Sequence, residues 1–170
     1  MNFTFSNDLA ESVNIESILI SGPDSLNFTN KEYLILDSNG VTQGLFEIRY
    51  QAHCSPFKAA MIIDHILAVG FEEYFYMFDM ISKSNMLKLK MEGYFGHLNF
   101  NEDLFYVADS AGIFCINKNT SIIWQTKDLG IDGVIINEFT NNKIFGSGEW
   151  DPPVGWRDFI LDKETGFTTK

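Results

Sequence analysis

Two stretches of this chain align with each other without a gap, and that internal repeat restricts the fold more than any other feature. Residues 64–85 (D-H-I-L-A-V-G-F-E-E-Y-F-Y-M-F-D-M-I-S-K-S-N) and 102–123 (E-D-L-F-Y-V-A-D-S-A-G-I-F-C-I-N-K-N-T-S-I-I) stand 38 positions apart. Each opens on Asp-His or an acidic pair and runs into an apolar strand, Ile66–Val69 or Leu104–Val107. A small residue, Gly70 or Ala108, opens a turn; a second apolar strand then ends at Asp79 or Asn117, and Ser82 or Thr120 follows. The same ending returns at Phe159–Asp162 with Lys163-Glu164-Thr165-Gly166, 45 residues after Asn117. A poorer copy, Tyr33–Asp37 with Ser38-Asn39-Gly40, lies 42 residues before Asp79. An Asx side chain leaving a strand accepts hydrogen bonds from backbone N–H groups about two residues on, and Gly or Asn there tolerates a left-handed backbone. The unit strand–turn–strand–Asx turn–strand thus recurs about every 40 residues, within the roughly 40–50-residue period of propeller blades.

Further apolar pieces complete each unit. Met86–Lys90 and Ile122–Gln125 follow the Asx turns, while Ala60–Ile63, His97–Phe100 and Gly133–Ile136 precede the first strands. Four strands per unit result. Helical signal is thin: Asn7 to Ile18 has room for two turns, and Phe57 to Ile66 fits a strand as well as a helix. The reading is an all-β fold of about four propeller-like repeats of antiparallel strands, a partial or shortened propeller, with a β-sandwich as the alternative. One domain over residues 1–170 is expected, its repeats clearest over 60–170, with 1–59 holding the poorer copy and an N-terminal segment.

The stretch Leu104–Trp124 resembles a blade of the quinoprotein-like (PQQ/WD40-like) β-propeller repeats. It shows their order of apolar strand, turn ending in Gly, strand ending in Asp or Asn, Thr-containing turn, and strand ending in Trp. Phe159–Gly166 resembles the same turn, and the tail Gly146–Gly166 is similar to small bacterial proteins of unknown function. The resemblance implies blade architecture and no activity. Quinoprotein enzymes close about eight blades around their cofactor, so four repeats imply a shortened or open array and no cofactor.

Charge narrows the partners. With 12 basic against 23 acidic side chains the net charge is −11, which argues against nucleic acid or an anionic membrane surface as partner. The densest basic cluster, Lys83, Lys88 and Lys90, reads as a solvated strand face. No apolar run approaches the roughly 18–20 residues needed to cross a bilayer. Residues 1–20 carry Asp8, Glu11 and Glu16 but no Lys or Arg, which predicts no secretory signal and a cytoplasmic location. Cys54 and Cys115, far apart, read as reduced thiols, at least one of them buried.

Catalytic constellations are weak. His53-Cys54 suggests a base beside a nucleophile, but strand neighbours point to opposite faces, so a structural role is expected. His53, His65 and His97 match no metal-ligand spacing. The pairs Glu72-Glu73 and Glu102-Asp103 fall at hairpin turns and are expected to be solvated. Gly146-Ser147-Gly148 reads as close backbone packing or a bulge.

Two segments stand out for binding. The insertion Glu149-Trp150-Asp151-Pro152-Pro153-Val154-Gly155-Trp156-Arg157 lengthens the last hairpin with two indoles, two prolines and an arginine, and such residues dominate interface hot spots. The alternative is a lid with its indoles turned inward. The second segment is the aromatic strip Phe71, Tyr74, Phe75, Tyr76 and Phe78, continued by Tyr94 and Phe95, a partner site where exposed. The candidate binding residues are therefore Glu149, Trp150, Asp151, Trp156, Arg157, Phe71, Tyr74 and Tyr76, with no catalytic and no metal residues. The expected function is non-catalytic protein–protein recognition by an acidic immunity-type or scaffold protein whose partner has a basic face. The rivals are a small-molecule or carbohydrate binder or enzyme with an aromatic-lined pocket, and a structural subunit assembling edge to edge.

Overall fold

The strands form where the repeats place them. The computed structural model describes residues 2–9 and 15–169, among which fifteen strands make four sheets. The first sheet contains β1 (Asn2–Ser6), β2 (Ile18–Leu19), β3 (Asn30–Ser38) and β4 (Val41–Tyr50) in the order β1-β3-β4-β2. The second is β5 (Lys58–Ile63), β6 (Ile66–Phe71), β7 (Tyr74–Asp79) and β8 (Ser84–Lys90) in chain order. β9 (Phe95–Asn101), β10 (Leu104–Asp109), β11 (Ile113–Asn117) and β12 (Ile122–Thr126) form the third. The fourth holds three strands, β13 (Val134–Phe139), β14 (Lys143–Trp150) and β15 (Gly155–Asp162). Of the range Asn7–Ile18, where the sequence has room for two helical turns, residues 10–14 lie outside the described residues, residues 7–9 and 15–17 are not helical, and Ile18 opens β2. Phe57–Ile66 resolves as strand, with β5 in its middle.

Side-chain chemistry ends the strands as expected. Asp79 Oδ1 accepts from the N–H groups of Ile81 (2.7 Å) and Ser82 (3.1 Å). Asn117 Oδ1 serves Asn119 and Ser121, both at 2.9 Å. Asp162 Oδ1 takes the Thr165 N–H at 2.9 Å, and Asp37 Oδ1 takes that of Gly40 at 3.0 Å. All four copies of the ending therefore close the same way, each fixing the direction in which the next strand returns.

The sheets stack in chain order through three apolar layers. Leu34, Phe46 and Ile48 of the first sheet meet Leu67, Val69, Phe71, Tyr76 and Phe78 of the second. On the second sheet's other face, Ala68, Phe75 and Met77 meet Phe95, Phe105, Val107 and Phe114 of the third. Tyr106, Ala108, Cys115 and Trp124 then meet Val134, Ile136, Ile144 and Leu161 of the fourth. A strand covered on both faces has no polar side, which is why β6 is buried at every position. The first strands β1, β5, β9 and β13 touch in succession, the arrangement of propeller blades about an axis rather than of two facing sheets. Glycines permit the closest approaches. A Cβ at Gly70 would enter the Phe95 ring, and one at Gly146 would meet the Phe159 ring and the Ile135 carbonyl, so the Gly146-Ser147-Gly148 run serves close packing.

Candidate functional site

The fourth sheet differs from its neighbours on the face turned away from the third. Cross-strand partners share a face, so Ile135, Ser147 and Asp158 form one row, Glu138, Phe145 and Ile160 a second, and Glu149 and Trp156 a third. Ile135 is 38% and Trp156 50% exposed, and Phe145 and Ile160 are half-buried on the far side of the Ile135 row from Trp156. Asn137, at a break in register, donates through Nδ2 to Ser147 Oγ at 3.0 Å, and Ser147 Oγ donates to Asp158 Oδ1 at 2.8 Å. Glu138, Glu149, Asp158 and Asp162 lie on this face against one amine, that of Lys143. It is an apolar patch with a hydrogen-bonded polar row and an acidic margin.

The inserted hairpin rises from one end of the same sheet. Its base is held to the preceding loop, where Glu149 N–H donates to the Gly133 carbonyl and Ile131 N–H donates to that of Glu149, both at 2.8 Å. Trp150 and Arg157 occupy the opposite face, the guanidinium carbon 5.8 Å from the indole centroid. Asp151 and Val154 are exposed at the tip. The hairpin is not a lid with both indoles inward, because Trp156 turns outward.

The aromatic strip is corrected by the packing. Phe71 and Tyr76 are only 1% and 2% exposed, inside the layer between the first and second sheets. They present nothing to a partner. Both faces of β7 are covered, so alternation divides its aromatics between two cores instead of between core and solvent. Tyr74 is half-buried, with the Lys88 and Lys90 ammonium groups 5.0 and 5.9 Å from its ring centroid. Those lysines pair with Asp24 at 2.6 Å and Glu73 at 3.1 Å, so two of the cluster's three lysines are neutralised in place, while Lys83 is exposed at the β7–β8 turn.

Glu72 overturns the expectation of a solvated carboxylate. It sits at the β6–β7 turn with φ of 51°, and its side chain is only 2% exposed. One oxygen meets His53 Nδ1 at 2.6 Å, while the other accepts the N–H groups of Cys54 (2.6 Å) and Ser55 (2.9 Å). Burial pushes the Glu72 carboxyl up, but those hydrogen bonds outweigh it and hold the group below its ordinary value. His53 is therefore paired with Glu72, as part of a clamp on the linker between the first two sheets. The Cys54 thiol is pushed up to about 11, by burial first and the Glu72 carboxylate second, the reverse of what a thiolate nucleophile needs. The cavity beside Glu72, lined by Phe28, Tyr50 and Tyr74, measures about 20 Å³, room for about one water. Nothing in the spacing separates Glu72 from Glu102, which takes the same left-handed backbone at another hairpin turn and stays exposed. Among the described residues no group of three or more His, Cys, Asp or Glu stands ready for a metal, and no helix is long and apolar enough to cross a membrane.

No protein-family model matches the chain, and no curated protein matches its sequence. Among solved structures, BamB from Moraxella catarrhalis superposes over 81% of this chain and 42% of its own, with a TM-score of 0.56 and 14% identity. BBS1N, in its complex with ARL6DN, covers 76% of this chain and 39% of its own, with a TM-score of 0.47 and 14% identity. Hsv2 from Kluyveromyces lactis covers 82% and 57%, with a TM-score of 0.40 and 11% identity. The chain thus spans less than two thirds of each of these proteins. BamB is a PQQ-like β-propeller, and that likeness, at such identity, is one of fold: the four sheets are propeller blades in a partial array.

Proposed function

We propose that the protein acts by binding another protein on the outward face of the fourth sheet and on the hairpin beside it, without catalysis. The observation that supports this most is the exposed pair Ile135 and Trp156 on a sheet face that no other sheet covers among the described residues. On the first sheet's outward face, by contrast, Tyr33 and Leu45 are buried. An apolar centre with a polar row and a charged margin is the composition of a recognition surface. The margin holds four carboxylates against one amine and the whole chain carries −11, so the complementary partner presents a basic surface. Candidate contacts are Ile135, Glu149, Asp151, Trp156 and Arg157. The test immobilises the wild type, Ile135→Ser and Trp156→Ala and passes source-cell lysate over each at low salt. A basic protein retained by the wild type, released by salt and lost from both variants supports the reading; equal retention by all three refutes it.

A further inference from the structure

The third sheet carries two polar atoms that the fold leaves without partners. The Tyr106 hydroxyl and Asn101 Oδ1 are buried and make no hydrogen bond among the described residues. Tyr106 and Leu104 pack in the layer between the third and fourth sheets. Asn101 stands opposite Leu104 across β9 and β10, so it shares that face. Tyr106 is fully buried, and its cross-strand neighbour Cys115 offers only a thiol, a weak donor and acceptor. A buried polar atom left unpaired costs stability, so each one calls for a reason.

Tyr106 lines a cleft of about 300 Å³ between these two blades, with Leu104, Ile123 and Trp124 as its other apolar walls. Glu102, Lys163 and Glu164 stand at its rim. The Lys163 amine, on a side chain only 6% exposed, pairs with Glu102 at 2.9 Å, which leaves the Glu164 carboxylate as the rim's net charge. The Trp124 indole N–H donates to the Lys163 carbonyl at 3.0 Å, and Gly166 closes on its ring. Residues 167–169 then run along β15 away from Lys163 and take no part in the walls. We propose that this cleft binds a small organic ammonium ion. Acceptors dominate what it presents, in the Glu102 and Glu164 carboxylates and the Tyr106 hydroxyl. The rings of Tyr106 and Trp124, with centroids 5.9 Å apart, add π faces that attract a cation. An anion meets a rim of its own sign, and a hydrocarbon leaves the Tyr106 hydroxyl unpaired. The volume is at the small end for ligand sites, which suits a single ring with a short amine tail. The site is separate from the outward face of the fourth sheet and stands or falls without it.

The probe is phenethylamine, titrated to about 10 mM against the intact chain, with 2-phenylethanol and phenylacetate as its neutral and anionic counterparts. The amine is expected to shift the indole N–H resonance of Trp124 and to leave those of Trp150 and Trp156 in place. The alcohol is expected to bind about tenfold more weakly, and phenylacetate to have no effect. Tyr106→Phe removes the unpaired hydroxyl, so its melting temperature should equal or exceed that of the wild type while its affinity for the amine falls about tenfold. Glu164→Gln, at an exposed position, should weaken the amine about threefold or more and leave the melt unchanged. No Trp124 shift with the amine, or equal binding of phenylacetate, overturns the proposal. So does a Tyr106→Phe variant that keeps full affinity. A Tyr106→Phe melt about 4 °C or more below wild type also overturns it, because the hydroxyl would then hold a bond within the core.

Discussion

Replacing Glu72 should destabilise the junction between the first two blades by an amount its hydrogen bonds set. In Glu72→Ala the N–H groups of Cys54 and Ser55 lose their acceptor, and Ser55 is buried. An unpaired buried donor costs about 1–3 kcal/mol; Cys54, at the surface, recovers part of its loss from water. A net loss of about 3 kcal/mol lowers Tm by about 6–12 °C for a chain of this size. Glu72→Gln keeps an acceptor and loses only the charge-assisted part, about 1–1.5 kcal/mol. Differential scanning calorimetry at neutral pH should thus rank wild type above Gln above Ala.

The pH dependence follows from the direction of the shift. The Glu72 carboxyl lies below its ordinary value of 4.5 in the folded protein, so the unfolded chain takes up a proton first as pH falls. The contribution is complete above about pH 5 and is lost as pH drops through the folded value. Urea unfolding should show a constant gap between wild type and Glu72→Gln at pH 5–8 that closes below about pH 4.5. A Glu72→Ala melting point within about 2 °C of wild type, or a gap that does not narrow as pH falls below about 4.5, would refute the clamp.

Gly146→Ala drives a methyl group into the Phe159 ring and the Ile135 carbonyl, and a melt should fall by at least about 4 °C because backbone stands on one side. Cys54, with its thiol near 11, should react with iodoacetamide at neutral pH about two orders of magnitude more slowly than a free thiol; mass spectrometry over time reads this, and a free-thiol rate contradicts it. Asp162→Ala removes the acceptor for Thr165 and should cost about 1 kcal/mol by urea titration. Trp156→Ala should leave the melting temperature within about 2 °C, since an exposed side chain carries little of the fold; a larger fall would mean that the indole is structural.

The repeat was legible because the two middle sheets share one pattern: their inner strands β6, β7, β10 and β11 are buried almost throughout, and β7 and β11 end in Asx turns. Tyr76 and Phe71 were misread for the same reason. Alternation separates core from solvent only when one face is wet, and here it separates one core from another, with Phe75 on the third sheet's side and Tyr76 on the first's. β2 was missed because Ile18-Leu19 is too short for any period to show, and it joins the first sheet beside β4, parallel to it, ahead of the hairpin in sequence. Glu72 was missed because its partners His53, Cys54 and Ser55 belong to a linker with no repeat counterpart. The hairpin Glu149–Arg157 was visible as an insertion, but the rest of its surface, Ile135 and the Asn137–Ser147–Asp158 row, arises from cross-strand register that one-dimensional spacing does not carry.

That register also says what kind of surface the fourth sheet offers. Between blades, each buried face is mostly apolar, crossed by the Lys58–Glu32 ion pair between the first and second sheets and by the Trp124 indole N–H, which donates to the Lys163 carbonyl, between the third and fourth. On β13 the pattern changes within a few residues: Val134 and Ile136 are buried toward the third sheet, while Ile135, Asn137 and Glu138 face away. A further blade of the same kind would bury Asp158, Ser147 and Asn137 against apolar side chains, and a buried carboxylate needs charged or hydrogen-bonding partners to offset its desolvation. An occupant of this face would have to bring polar groups to Asp158, Ser147 and Asn137.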